Sequence, residues 1–164
     1  MTRRGSIILA FSVAAGSVAL DQLAKRLAVA GLDPLRPVPV LGDAVRFMLR
    51  FNIGAAFSFS WGGPMVLTVL GAAAAVLITV FIFRCDRCTA VSYAGLGAVL
   101  GGALGNLVDR LVYGRVIDFI DVGAAGWRWP TFNVADVSIV AGGLLLLLFH
   151  RGAAPGSGGE GSPE

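Results

Sequence analysis

Asp118 in VIDF and Asp136 in FNVAD are carboxylates set in a chain that is otherwise mostly membrane-grade hydrocarbon. A carboxylate at membrane depth is costly and persists mainly where it is paired, wetted or functional, so each marks a place for chemistry. Two together suggest a shared proton. Amide hydrolysis by carboxylates needs one ionised acid to take a proton from water and one protonated acid to donate to the carbonyl oxygen or the leaving nitrogen. Two carboxyls a few ångströms apart do not easily both ionise, and such a pair titrates as a unit. The two lie 18 residues apart (136 − 118), across a segment that leaves one apolar run and returns into the next. That turn would bring them face to face. The plainer reading is two unrelated carboxylates capping helix ends or pairing with Arg115 and Arg128.

The elements that must position them are apolar. Of 164 residues, 56% are hydrophobic and 14% charged, against about 25% charged in a soluble domain. The chain reads as one integral membrane domain over 1–150 with a Gly/Pro/Ser-rich, disordered tail at 151–164. Crossing about 30 Å of hydrocarbon takes about 20 residues, and four runs approach that, at about 6–30, 64–83, 90–107 and 131–149. Pro64 opens the second at a first-turn position, and glycines between Gly95 and Gly105 allow close helix contact in the third. The acids therefore fall where helices enter or leave the bilayer. Between the first two runs, Val45 to Phe51 alternates like a half-buried strand, so a small sheet on the membrane is expected. Trp61, Trp127 and Trp129 fall on one face as interfacial anchors.

Charge leaves orientation open. Arg3, Arg4, Arg84, Arg87 and Arg151 lie on one face, while the loop-rich face carries more basic residues, several of them near Asp33, Asp43, Asp109 and Asp121 and able to pair within folded structure. A bare Lys/Arg count would put the loop-rich face in the cytoplasm. The basic, apolar N-terminus looks like a secretory signal, but it runs into DQLAKRLA without a small-x-small cleavage site immediately before Asp21 and reads as a retained span. The net charge of +3 forms no basic stripe, so nucleic acid is not a partner. Cys85-x-x-Cys88 lacks the second pair of a zinc site, and its thiols should stay reduced if they face the cytoplasm. His150 is the only histidine. No phosphate-binding pattern occurs, and neither a metal nor another cofactor is expected.

DQLAKRLA (21–28), FNIGAAFS (51–58), GGALGNLVDRLVYGRVIDF (101–119) and FNVAD (132–136) stand in an order and spacing that resemble the successive motifs of bacterial lipoprotein signal peptidase, or signal peptidase II. The resemblance spans about residues 6–150. It implies an all-α membrane protein of four transmembrane helices, with a small extracytoplasmic β-sheet or cradle and a short periplasmic-side helical loop. It further implies a monomeric aspartyl endopeptidase of the bacterial cytoplasmic (inner) membrane, with both termini cytoplasmic and the active site at the extracytoplasmic face. Its partners would be membrane lipids and prolipoproteins, cut just before a cysteine carrying diacylglycerol. Carried onto this chain, Asp118 and Asp136 are the catalytic pair, and Asn52, Asn106, Arg110 and Asn133 would line the same pocket.

Residue chemistry assigns the supporting roles. Amides and a guanidinium can hold an extended peptide and orient the acids, although asparagine also commonly caps helices. Asp109 should brace the following loop through hydrogen bonds. Asp21 and Lys25, four apart, should pair and organise the first helix and its contact with the outer loop. Gly54, Ala55 and Ala56 are small enough to admit a peptide backbone closely. The rivals are a proton-coupled transporter, which predicts acids at mid-span and related halves, and a structural four-helix partner, which leaves FNIGAAFS and FNVAD without purpose.

Overall fold

The computed structural model describes residues 2–54, 63–86, 88–124 and 126–149. Helix α1 (Arg3–Gly31) starts at Thr2, whose side chain accepts from Gly5 N at 3.2 Å. Strands β1 (Val38–Leu41) and β2 (Val45–Asn52) follow, then α2 (Gly63–Arg84) and α3 (Ala90–Tyr113). Strands β3 (Val116–Ala124) and β4 (Trp127–Arg128) lead into α4 (Val134–Phe149). Among the described residues, three helices are long and apolar enough to cross a membrane: α1, Met65–Arg84 of α2, and α3. Helix α4 is apolar but has 16 residues, about 24 Å at 1.5 Å per residue. It begins at Val134 rather than near 131 because residues before it are held in the sheet: Phe132 and Ile120 form an antiparallel bridge, and Trp129 N donates to Val122 O at 2.8 Å.

Helix α3 is the hub, packed against α1, α2 and α4. Its glycines permit this. A Cβ on Gly102 would collide with the backbone oxygen of Ala135 in α4, and one on Gly105 would stand 2.7 Å from Asp21 Oδ2 of α1. Three helices thus converge beside the polar site, in the small-residue contact favoured where apolar packing against lipid gives no advantage. Helix α3 runs on past the expected end near 107 to Tyr113 and stops at Gly114, which takes the left-handed conformation with φ 67°. Asp109 does not end the helix because it is buried against a lysine.

The sheet is antiparallel in the order β1-β2-β3-β4, so the expected strand over Val45 to Phe51 is present as part of β2. Its register sets Arg50 opposite Asp118 and Asn52 opposite Val116. Leu49, Ile117 and Phe119 pack beneath it against Ala28 of α1. One expectation is corrected here: Asp118 lies on a strand rather than at a helix end, because VIDFIDV pairs with β2. The thiols expected to stay reduced if they face the cytoplasm are joined: Cys85 and Cys88, with Cα atoms 5.7 Å apart, form a disulfide at the α2–α3 turn, a separation within ordinary disulfide reach. Trp61, Ala55, Ala56, His150 and the tail at 151–164 lie outside the described residues.

Candidate active site

Asn133 precedes the first residue of α4, and its side-chain Oδ1 accepts from Asp136 N at 3.0 Å while its own backbone N–H donates to Asp136 Oδ2 at 3.2 Å. This reciprocal pair is a capping box, which satisfies orphan donors at a helix start. The asparagine's Nδ2 is left free to point away from the helix, and it donates to Asp118 Oδ1 at 2.7 Å. One residue therefore holds both acids. From the other side Asn52, at the end of β2, donates to Asp118 Oδ2 at 3.1 Å and accepts from Gly54 N at 3.0 Å.

A second asparagine closes the arrangement. Asn106 Nδ2 donates to Asp136 Oδ1 at 2.8 Å, and its Oδ1 accepts from Asn133 Nδ2 and from Lys25 Nζ, each at 3.0 Å. The lysine ammonium can only donate, so the carbonyl of Asn106 must face it and the amide must face Asp136. Lys25 is itself clamped between Asp21 and Asp109, each at 2.8 Å, with all three side chains buried. Asp21 also accepts from Ala135 N at 2.8 Å, and Asp109 from Ile117 N at 3.1 Å. The expected Asp21–Lys25 pair is present, and Asp109 bonds to the backbone of the strand that follows its helix. The contacts of Asp21 and Lys25 run to α3 and to the start of α4 rather than to the outer loop.

Asn52, Gly54, Asn106, Arg110, Asp118 and Asp136 line one cavity of about 220 Å³, walled on one side by Trp129 to Phe132. Arg110 donates to its own helix at Asn106 O, 3.4 Å away, and makes no ion pair with either acid. Asp118 is 3% exposed. Burial, with the charge of Asp136 added, pushes its carboxyl up to about 6, against the opposing bonds from Asn52 and Asn133 and the charge of Lys25. Asp136 is only half-buried.

Arg115 and Arg128, the simple partners weighed for these acids, are occupied elsewhere. Arg115 lies over the Phe51 ring, 4.1 Å from its centroid. Arg128 and Arg46 grip Asp121 at 2.9 Å and 2.6 Å. Burial works to raise the Asp121 carboxyl, but the two arginines outweigh it and hold it below its usual range.

Sequence reasoning missed Gln22, whose Nε2 donates to Asp109 Oδ1 at 2.9 Å and to Gly105 O at 3.2 Å. Its signal was available: positions 21, 22 and 25 form one polar stripe on an apolar helix. Trp129, read as an interfacial anchor, also walls the cavity.

Residues 13–151 match the family model for signal peptidase (SPase) II. A lipoprotein signal peptidase of Mycobacterium avium (strain 104) is 45% identical over 146 residues, covering 85% of this chain and 77% of that protein. One of Polynucleobacter necessarius is 40% identical over 146 residues, covering 87% and 88%. A solved bacterial membrane enzyme superposes with a TM-score of 0.77 at 24% identity over 85% of each chain, a likeness of fold.

Proposed function

Because the chain belongs to the signal peptidase II family, we propose that it removes the signal peptide from prolipoproteins as an aspartyl endopeptidase, with Asp118 and Asp136 as its catalytic pair. The observation that carries this is the tie of both carboxyls to Asn133 at the wall of one cavity. The relatives named above are lipoprotein signal peptidases, which gives the transporter reading no support.

Asp118, buried and pushed up to about 6, is the acid that keeps the shared proton. Asp136, half-buried, is the base. The carboxylate of Asp136 takes a proton from water as the water oxygen bonds to the scissile carbonyl carbon. Asp118 gives its proton to the carbonyl oxygen. The resulting gem-diol collapses, the C–N bond breaks, the leaving nitrogen receives the proton held on Asp136, and a hydroxyl proton returns to Asp118. Asn52 and Asn133 keep Asp118 in place, and Arg110 is placed to bind a substrate carbonyl. Gly54 leaves room for the peptide backbone, since apart from the glycine and its chain neighbours no described atom lies within 4 Å of the position its Cβ would take.

The enzyme sits in the inner membrane as a monomer with both termini cytoplasmic, the sheet and acids facing outward. Substrate enters sideways, its diacylglycerol chains staying in the bilayer, because pulling them into water would cost about 0.8 kcal/mol per CH₂. The cut falls before the lipidated cysteine. The test is purified full chain in detergent with two peptides of one sequence, one with a diacylglyceryl cysteine and one unmodified. Cleavage of the lipidated peptide at least about tenfold faster, the effect of about 1.4 kcal/mol of differential binding, is expected. Equal rates would show that sequence alone is read, and no cleavage of either would end the peptidase reading.

A further inference from the structure

A second recess, of about 310 Å³, opens between the C-terminal turns of α1, the end of α3 and the sheet, and shares no lining residue with the catalytic cavity. Lys25 forms its back wall, already saturated by Asp21 and Asp109. Arg26 and Arg115 stand at its mouth with Tyr113 and Phe51. Among the described residues neither arginine has a carboxylate partner. Arg46 and Arg128, by contrast, are neutralised by Asp43 and Asp121. Arg115 is steadied by the Phe51 ring beneath its guanidinium, an arrangement that holds the charge without neutralising it.

The surroundings are those of a lipid rather than of a soluble anion. Arg26 lies in the last turns of α1 and Arg115 just past the end of α3, both apolar helices long enough to span, and close by in the chain Leu27, Leu111 and Val112 stand 64%, 69% and 63% exposed. Guanidinium groups bind phosphate oxygens through paired donors, and a basic recess between spanning helices suits an anionic head group whose acyl chains lie along the apolar flank. We propose that this recess binds the phosphodiester head group of an anionic glycerophospholipid between Arg26 and Arg115. Such a lipid ties α1 to the residue that leads into β3, three positions before Asp118 (118 − 115).

The test reads lipid binding and does not depend on peptidase activity. Full-length protein in detergent is given equal amounts of phosphatidylglycerol and phosphatidylcholine with the same acyl chains, and retained lipid is counted by native mass spectrometry. Each arginine near an anionic head group contributes about fivefold, so a preference of about thirtyfold for phosphatidylglycerol is expected. Arg26→Gln and Arg115→Gln should each lower it about fivefold, and the double variant should abolish it. Arg36→Gln, a basic residue on the same face that already pairs with Asp33, should leave it intact. Equal retention of the two lipids by the unaltered protein would overturn the proposal, as would a preference that survives the double change. Displacement of the lipid by inorganic phosphate, but not by chloride at equal ionic strength, would show a free-anion site and overturn it too.

Discussion

Asn133 binds Asp118 through its side-chain amide at 2.7 Å while its backbone N–H holds Asp136 at 3.2 Å, so the cap of α4 is also the bridge between the acids. Cap and bridge use different atoms and can be separated. Asn133→Ser keeps an oxygen able to cap α4 but is too short to reach Asp118, and Asn133→Ala removes both. We expect Asn133→Ala to lose about 1 kcal/mol of stability with its cap, and Asn133→Ser to retain most of that stability. Both should cut the cleavage rate by at least about tenfold. Full activity in the Ser variant, measured beside its thermal midpoint, would reduce Asn133 to a cap.

Asp118 sets the pH dependence. Its carboxyl is raised from 3.8 to about 6, so the folded protein binds that proton more tightly than the unfolded chain. Its contribution to stability is therefore complete below about 3.8 and is lost as pH rises through about 6. Asp118→Asn removes this dependence, and in detergent the variant's thermal midpoint should gain on wild type between those values. If Asp118 is the acid, kcat/KM should fall as pH rises through about 6. Asn52 donates to the ionised form, so Asn52→Ala should move that fall to higher pH. A shift to lower pH would contradict the assignment.

Lys25 orients the site from behind. Lys25→Met would leave Asp21 and Asp109 buried without their cation, which should cost about 3–5 kcal/mol. Changing Asp21 and Asp109 to Asn in the same protein should restore much of the stability. Activity should stay low, because Asn106 is then free to turn its carbonyl toward Asp136. Stability and rate recovering together would show that Lys25 matters only for folding.

The site was more legible in the chain than the fold around it. Asp118 and Asp136 stood out because charge is rare among apolar residues, and β2 because Val45 to Phe51 alternates. The N-x-x-D spacing of Asn133 and Asp136 is itself a capping-box pattern that sequence could have yielded. Strand β3 was hidden because VIDFIDV sets its two aspartates three apart, a helical spacing rather than the alternation of a strand. The continuation of α3 to Tyr113 depends on the burial of Asp109 against Lys25, a contact 84 residues away in sequence (109 − 25). The Cys85–Cys88 bond depends on how tightly the α2–α3 turn closes.

Topology is open to a direct reading. A reporter active only outside the cytoplasm should give signal when fused between Asp33 and Arg46 or near Ala125, and none near Asp86 or after His150. The reverse pattern would follow the bare Lys/Arg count and place the acids on the wrong side for a secreted substrate.

The central claim is that Asp118 and Asp136 together cleave the peptide, and the most direct measurement is the cleavage rate of a lipidated peptide by Asp118→Asn and by Asp136→Asn. Each variant keeps the shape of the side chain and loses its titration. With folding and membrane insertion verified, each rate should drop about a hundredfold or more, as for loss of a general acid or base. Either variant keeping more than about a tenth of the wild-type rate would contradict the account.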